Sequence, residues 1–354
     1  GQWIRTQKMD DVIAGIESAI SEIEYLLQDD PSAILNESEL QALLHHFLLS
    51  KFRETPPLTL HADVVNPREG AEYTCRRVYR GMMINKGFEP AGSAKRAALI
   101  VMKDSEQTLL AKDNGAPTRF LTPYAAIIEV QINGTLNDIQ KKIDRWEGPE
   151  YAHSVFGVLC TSKPEKFEDD PRILSIKCPA LKNRTEQVYA SVPASILRSM
   201  YELVINNVHR NFKLQPFWYI RELDFESDIF CALRTKIGPT GTGTSPVRAQ
   251  WASEHKSIII GKSRTHDIVI LSANGILDLE IELKVSHSKN YRIFDKPVAI
   301  REFCNMQKLI KKEKINQAVF LVFRLGTKSD GDQTDEGDKQ KEFPDVEIDY
   351  RCSD

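Results

Sequence analysis

One succession of patterns runs twice along this 354-residue chain, and that repetition limits the fold more than any single motif. Residues 9–28 carry apolar side chains at helical spacing, and Asn36-Glu37-Ser38-Glu39 reads as a cap opening a second helix over LQALLHHFLLSKF. Apolar runs follow at 58–65, 97–102 and 124–132, then a helical stretch at 136–146 and a strand at 154–160. After a Pro-, Lys-, Asp- and Glu-rich interval the order begins again. It gives helices at 193–212 and 225–237, strands at 246–252, 266–271 and 277–285, a helix at 298–312 and a strand at 317–325. The spacing predicts an α/β chain of two similar units, residues 1–162 and 191–354, joined by a connector at 163–190. Residues 327–342, TKSDGDQTDEGDKQKE, are poor in apolar side chains and predict a mobile loop.

Local similarity aligns the two copies. ESELQALLHHFL (37–48) matches ESDIFCALRTKI (226–237), KRAALIVM (95–102) matches RTHDIVIL (264–271), and IIEVQI (127–132) matches EIELKV (280–285). Asp267 then falls opposite Ala98, Lys284 opposite Gln131, and Glu282 opposite Glu129. Alternate strand residues share a face, so Glu282 and Lys284 point the same way. A hairpin turning at Asn274-Gly275 brings Asp267 towards them. Two carboxylates and a lysine so gathered suit a divalent cation and the activation of water beside it. The competing possibility is a solvated polar strand face, Glu280, Glu282 and Lys284, with Ile281, Leu283 and Val285 in the core.

Asp267 followed by Glu282-Leu283-Lys284, with Glu226 on the preceding helix, resembles the PD-(D/E)XK nuclease superfamily over about residues 193–325, and more loosely over the first half. The resemblance implies two restriction-endonuclease-like units, each a mixed β-sheet flanked by helices, the first a degenerate pseudo-nuclease. It implies Mg²⁺ (or Mn²⁺) held by Asp267 and Glu282, with Lys284 positioning or activating the attacking water. Glu226 would be a further carboxylate, with Asp228 as its rival. The activity implied is phosphodiester hydrolysis of nucleic acid, with DNA the expected substrate and prokaryotic defence the expected setting. A non-catalytic nucleic-acid- or protein-binding module on the same fold is the alternative. His266 stands where the family often has Pro.

The formal charge of −3 gives no global attraction to nucleic acid, so any such surface is local. Arg264, Lys308, Lys311 and Lys312 are the candidates beside the second unit, and Arg76, Arg77, Arg80, Lys86, Lys95 and Arg96 form a cluster in the first. A lysine packed among apolar residues near a metal is expected to have its pKa lowered towards use as a base. No apolar run approaches transmembrane length and GQWIRTQKMDD lacks the apolar core of a signal peptide, so a cytoplasmic protein is expected, free of membrane. Six scattered cysteines, none in a metal-binding spacing, suit reduced thiols.

Overall fold

Two helices of the first half start where a side chain satisfies their free N–H groups. Asn36 accepts from the Glu39 amide at 2.9 Å and opens α2, and Thr135 and Asp138 cap each other across the start of α3. In the computed structural model, residues 2–85, 95–112, 114–162, 170–178, 189–241, 243–256, 263–288 and 291–354 are described. The first half runs α1 (Gln2–Asp29), α2 (Glu37–Lys51), β1 (Pro57–Leu60), β2 (Tyr73–Thr74), β3 (Val78–Arg80), β4 (Met83–Ile84), β5 (Lys95–Arg96), β6 (Leu99–Val101), β7 (Gln107–Ala111), β8 (Pro117–Phe120), β9 (Tyr124–Ile132), α3 (Leu136–Asp144), β10 (Ala152–Thr161) and β11 (Ile173–Lys177). The second runs α4 (Ala194–Leu214), α5 (Glu222–Ile237), β12 (Val247–Lys256), β13 (Ser263–Leu271), β14 (Leu277–Ser286), α6 (Pro297–Lys311), β15 (Ala318–Arg324), α7 (Asp330–Glu342) and β16 (Val346–Cys352).

The chain is a mixed α/β protein. Two five-stranded sheets share one plan: β3-β6-β9-β10-β11 and β12-β13-β14-β15-β16. In both, the first two pairings are antiparallel and the last two parallel, with α3 or α6 making the crossover between the third and fourth strands. The ladders also agree in register. Leu99 opposes Ile128 where β6 and β9 begin to pair, and Ile268 opposes Ile281 at the same place in β13 and β14. Ala98, Glu129 and Gln131 therefore stand where Asp267, Glu282 and Lys284 stand. A smaller sheet, β2-β1-β7-β8, and the β4-β5 pair belong to the first half alone.

The second sheet is covered on both faces. Ile268, Ile270, Ile281, Leu283 and Leu321 pack with side chains of α4 and α5, while Val269, Phe320 and Val322 pack with Phe303 and Met306 of α6. The first cluster runs on into α1, α2 and the first sheet, so one core holds both halves. Across this junction Arg248 of β12 reaches Glu39 of α2 at 3.0 Å, both fully buried, and Arg76 before β3 reaches Asp228 of α5 at 2.8 Å.

Several expectations are corrected. Residues 330–342 form α7: Ser329 caps it, and Asp332 is drawn into the interior by Arg324 at 3.0 Å and by the Tyr350 hydroxyl. A polar segment folds here because one buried ion pair anchors it. The connector contributes β11, which extends the first sheet beside β10. Cys160 and Cys178, at the ends of those strands, form a disulfide with Cα atoms 5.9 Å apart, against the expectation of reduced thiols. The runs at 58–65 and 97–102 yield only the short strands β1 and β6. Among the described residues no helix is long and apolar enough to cross a membrane.

Candidate active site

β13 and β14 part company at the pair Ile268–Ile281, and the candidate residues sit in the fork. Beyond that pair the Asp267 side chain takes over from the ladder, its Oδ2 accepting the Leu283 amide at 2.8 Å. On the other side Gln250 of β12 adopts φ 47°, a left-handed conformation that L side chains other than Asn and Asp seldom take. Its place in the ladder corresponds to Gly81 (φ 61°), which follows β3. The kink turns the Gln250 amide inward, and Nε2 donates to Glu226 Oε2 at 2.7 Å and to Asp267 Oδ1 at 3.1 Å.

Glu282 and Lys284 share a face, with Lys284 Nζ 3.0 Å from Glu282 Oε1, 3.1 Å from the Leu283 carbonyl and 3.2 Å from Glu302 Oε2 of α6. Glu282 is 3% exposed and Glu280 is fully buried, its carboxylate 2.7 Å from His266 Nδ1, so this strand face is not solvated. His266 thus engages Glu280 in the interior. Glu226 meets Arg80 Nη1 of the first half at 3.2 Å. Asp228, its rival, is held away from the fork by Arg76 and the Tyr219 hydroxyl. In the first half Glu129 is tied by Trp146 Nε1 at 2.7 Å and Arg145 Nη2 at 2.8 Å, so its carboxylate already has fixed partners.

Two participants were not anticipated from the sequence. Glu222 lies one helical turn before Glu226 and faces the same charges, and Glu302 reaches the cluster from α6. The i, i+4 spacing of Glu222 and Glu226 was a usable signal; nothing local marks Gln250 or Glu302. Five carboxylates (Glu222, Glu226, Asp267, Glu282 and Glu302) face the two cations Lys284 and Arg80.

Burial, with the Asp267 charge beside it, pushes Glu222 up to about 8. Burial and then the neighbouring Glu282 hold Asp267 well above the usual carboxylate range. Burial likewise raises Glu226 and Glu302. For Lys284 burial works downward, but the charges of Glu282, Glu222, Glu302 and Asp267 outweigh it and hold the ammonium above its ordinary range. The expected lowering of the Lys284 pKa is therefore reversed, and Lys284 is a fixed cation. Between its ordinary value near 4.5 and about 8, folded Glu222 keeps a proton that the unfolded chain has released, so its contribution to stability falls as pH rises through that window. Glu222→Gln is expected to be more stable than wild type at pH 8, by about 1–3 kcal/mol, and equal at pH 4, as read by urea unfolding at both pH values. No difference at pH 8 would show that Glu222 does not carry this burden.

Among the described residues no three His, Cys, Asp or Glu side chains are arranged as a cation site. The donor set suits a hard cation all the same. Mg²⁺ keeps several waters and needs one or two carboxylates, and Asp267 and Glu282 are the pair in the fork. The basic candidates are spread out. Lys308, Lys311 and Lys312 are exposed on the last turns of α6, which ends against Leu277, where the Leu277 amide bonds the Lys314 carbonyl at 2.9 Å. Glu302 of the same helix is at the fork, and these lysines follow it by about 9–15 Å of helix rise, towards the Leu277 end of the sheet. Arg264 lies on β13, and its side chain falls outside the described residues, as does Lys86. Arg76, Arg77 and Arg80 are spent on Asp228, Glu54 and Glu226, so only Lys95 and Arg96 of the described first-half cluster are exposed.

No protein-family model matches the chain, and no curated protein is similar to it in sequence.

Proposed function

We propose that the chain is a Mg²⁺- or Mn²⁺-dependent nuclease of the PD-(D/E)XK kind, hydrolysing phosphodiester bonds of DNA at the β13–β14 fork. The carrying observation is the convergence of Asp267, Glu282 and Lys284, with Glu226 brought in through Gln250, where two strands separate. In this reading the two sheets are tandem restriction-endonuclease-like units, and the first is inert. Ala98 and Gln131 stand there in place of Asp267 and Lys284, and Glu129 is paired with Arg145 and hydrogen-bonded by Trp146. The protein would act in the cytoplasm, where its substrate lies.

Asp267 and Glu282 would hold the cation, which when bound supplies a Lewis acid for the phosphate and a water more readily deprotonated. Lys284, kept charged, faces the negative charge that grows on the phosphate oxygens. Glu302, made basic by burial and next to the ammonium, accepts the proton of the attacking water. Gln250 holds Glu226 and Asp267 at a fixed separation by donating to both.

A non-catalytic module on the same fold is the second reading. It is favoured by the Lys284 ammonium lying against both Glu282 and Glu302, and by the lack of a preassembled cation group among the described residues. Cleavage of plasmid and single-stranded DNA by the wild-type chain, with Mg²⁺, with Mn²⁺ and with EDTA, separates the two. Cleavage that depends on the metal is expected. Calorimetric binding of Mn²⁺ without cleavage of any substrate would leave the binding module.

A further inference from the structure

Arg221, immediately before α5, is partly buried, and part of its guanidinium has no partner among the described residues. Its Nε and Nη2 atoms are inaccessible and, among the described residues, have no hydrogen-bond acceptor. Asp224, whose charge favours the guanidinium, spends its oxygens on the backbone amides of Arg80, Ile220 and Arg221 at 2.9–3.0 Å. Inaccessible N–H groups of a cation left without acceptors are costly, and an anion that accepts from them removes that cost.

A second guanidinium stands close by. Gly81 is flanked by Leu223, two residues after Arg221, and by Arg96 of β5, whose Cδ is 3.8 Å from where a Cβ on Gly81 would lie. Arg96 is exposed, and its charge acts on Arg221 in the unfavourable sense. Two like charges brought together from opposite halves of the chain make a place for an anion. It adjoins the fork, because the next residue, Glu222, faces Asp267 and Lys284, and Arg221 also acts on His287, three residues beyond Lys284.

We propose that Arg221 and Arg96 form a phosphate clamp beside the carboxylate fork, one arginine from each half, which takes a backbone phosphate of a nucleic-acid strand next to the bond to be cut. Only the identity of the ligand as a strand rests on the nuclease reading; the anion site itself does not. The first half then has a use despite its missing carboxylate and lysine, since it supplies one jaw. Arginine suits the position because its planar fork matches two phosphate oxygens at once.

The test is fluorescence anisotropy of a short labelled duplex in EDTA over a series of KCl concentrations, for wild type, Arg221→Gln and Arg96→Gln. Arg96 is exposed, so its variant keeps the assay readable even where Arg221→Gln folds poorly. Each variant is expected to bind about tenfold more weakly, and to lower the slope of log K against log salt by about 0.9, the share of one phosphate contact. Wild-type slope and affinity in both variants overturn the clamp. If wild type binds no duplex but inorganic phosphate raises its melting temperature, and not that of the variants, the anion site stands and the strand as its ligand is overturned. If the slopes change as expected while wild type cleaves nothing with Mg²⁺ or Mn²⁺, the clamp stands and the nuclease reading falls.

Discussion

Lys284→Ala is expected to lower metal-dependent DNA cleavage by about 10²–10³-fold in kcat, the usual worth of one preorganised donor facing charge that develops in the transition state. KM should move little, because the ammonium already has Glu282 and Glu302 as partners in the resting site and gains most as the phosphate charge grows. Its matching position in the first half provides the control. Gln131→Ala sits at the same place in its ladder and should leave cleavage unchanged. Lys284→Ala should also lose stability, because four carboxylates that it now faces would be left without it. Circular dichroism and urea unfolding therefore accompany the kinetics, and Lys284→Arg keeps the charge for comparison. Equal cleavage by wild type and a folded Lys284→Ala would end the nuclease proposal.

The largest effect on stability is expected at the junction of the halves. Arg248 and Glu39 are both fully buried, and Glu39 also accepts the Leu35 amide at 2.9 Å and the Ala249 amide at 3.3 Å. Arg248→Ala strands the Glu39 carboxylate in the interior and is expected to cost about 3–5 kcal/mol in urea unfolding. The double variant Glu39→Gln, Arg248→Met removes both charges and should recover most of that loss, since two apolar or neutral side chains of similar size carry no stranded charge. Both halves should lose structure in one transition, because a single apolar cluster joins them. A cost below about 1 kcal/mol would mean that water reaches the pair on unpairing. Two separate transitions would mean that the halves fold apart.

Much of the fold was legible as pattern. The order of helices and strands follows from periodicity, and the alignment of Asp267 with Ala98 and of Lys284 with Gln131 agrees with the ladders of the two sheets. The misreadings share one cause. Residues 330–342 have almost no apolar side chain, so nothing local announces a helix; the helix exists because Arg324, from a strand, draws Asp332 inside. The Arg76, Arg77 and Arg80 cluster looks like a nucleic-acid surface in sequence, yet each of the three meets a carboxylate that lies elsewhere in the chain, two of them in the other half. Cys160 and Cys178 pair because β11 lies beside β10, a neighbour relation that spacing does not reveal.

What the sequence by itself determined is the order of the longer helices α1 to α6 and of the strands β9, β10 and β12 to β15, with the shared strand face of Glu282 and Lys284, because periods of 3.6 and 2 are local properties of the backbone. What only the tertiary structure decided is the environment of those side chains. The kink at Gln250, the arrival of Glu302 from α6 and of Arg80 from the other half, and the reversal of the Lys284 pKa all depend on groups far apart in the chain. Charges act through space at distances set by packing, and sequence separation carries no record of them.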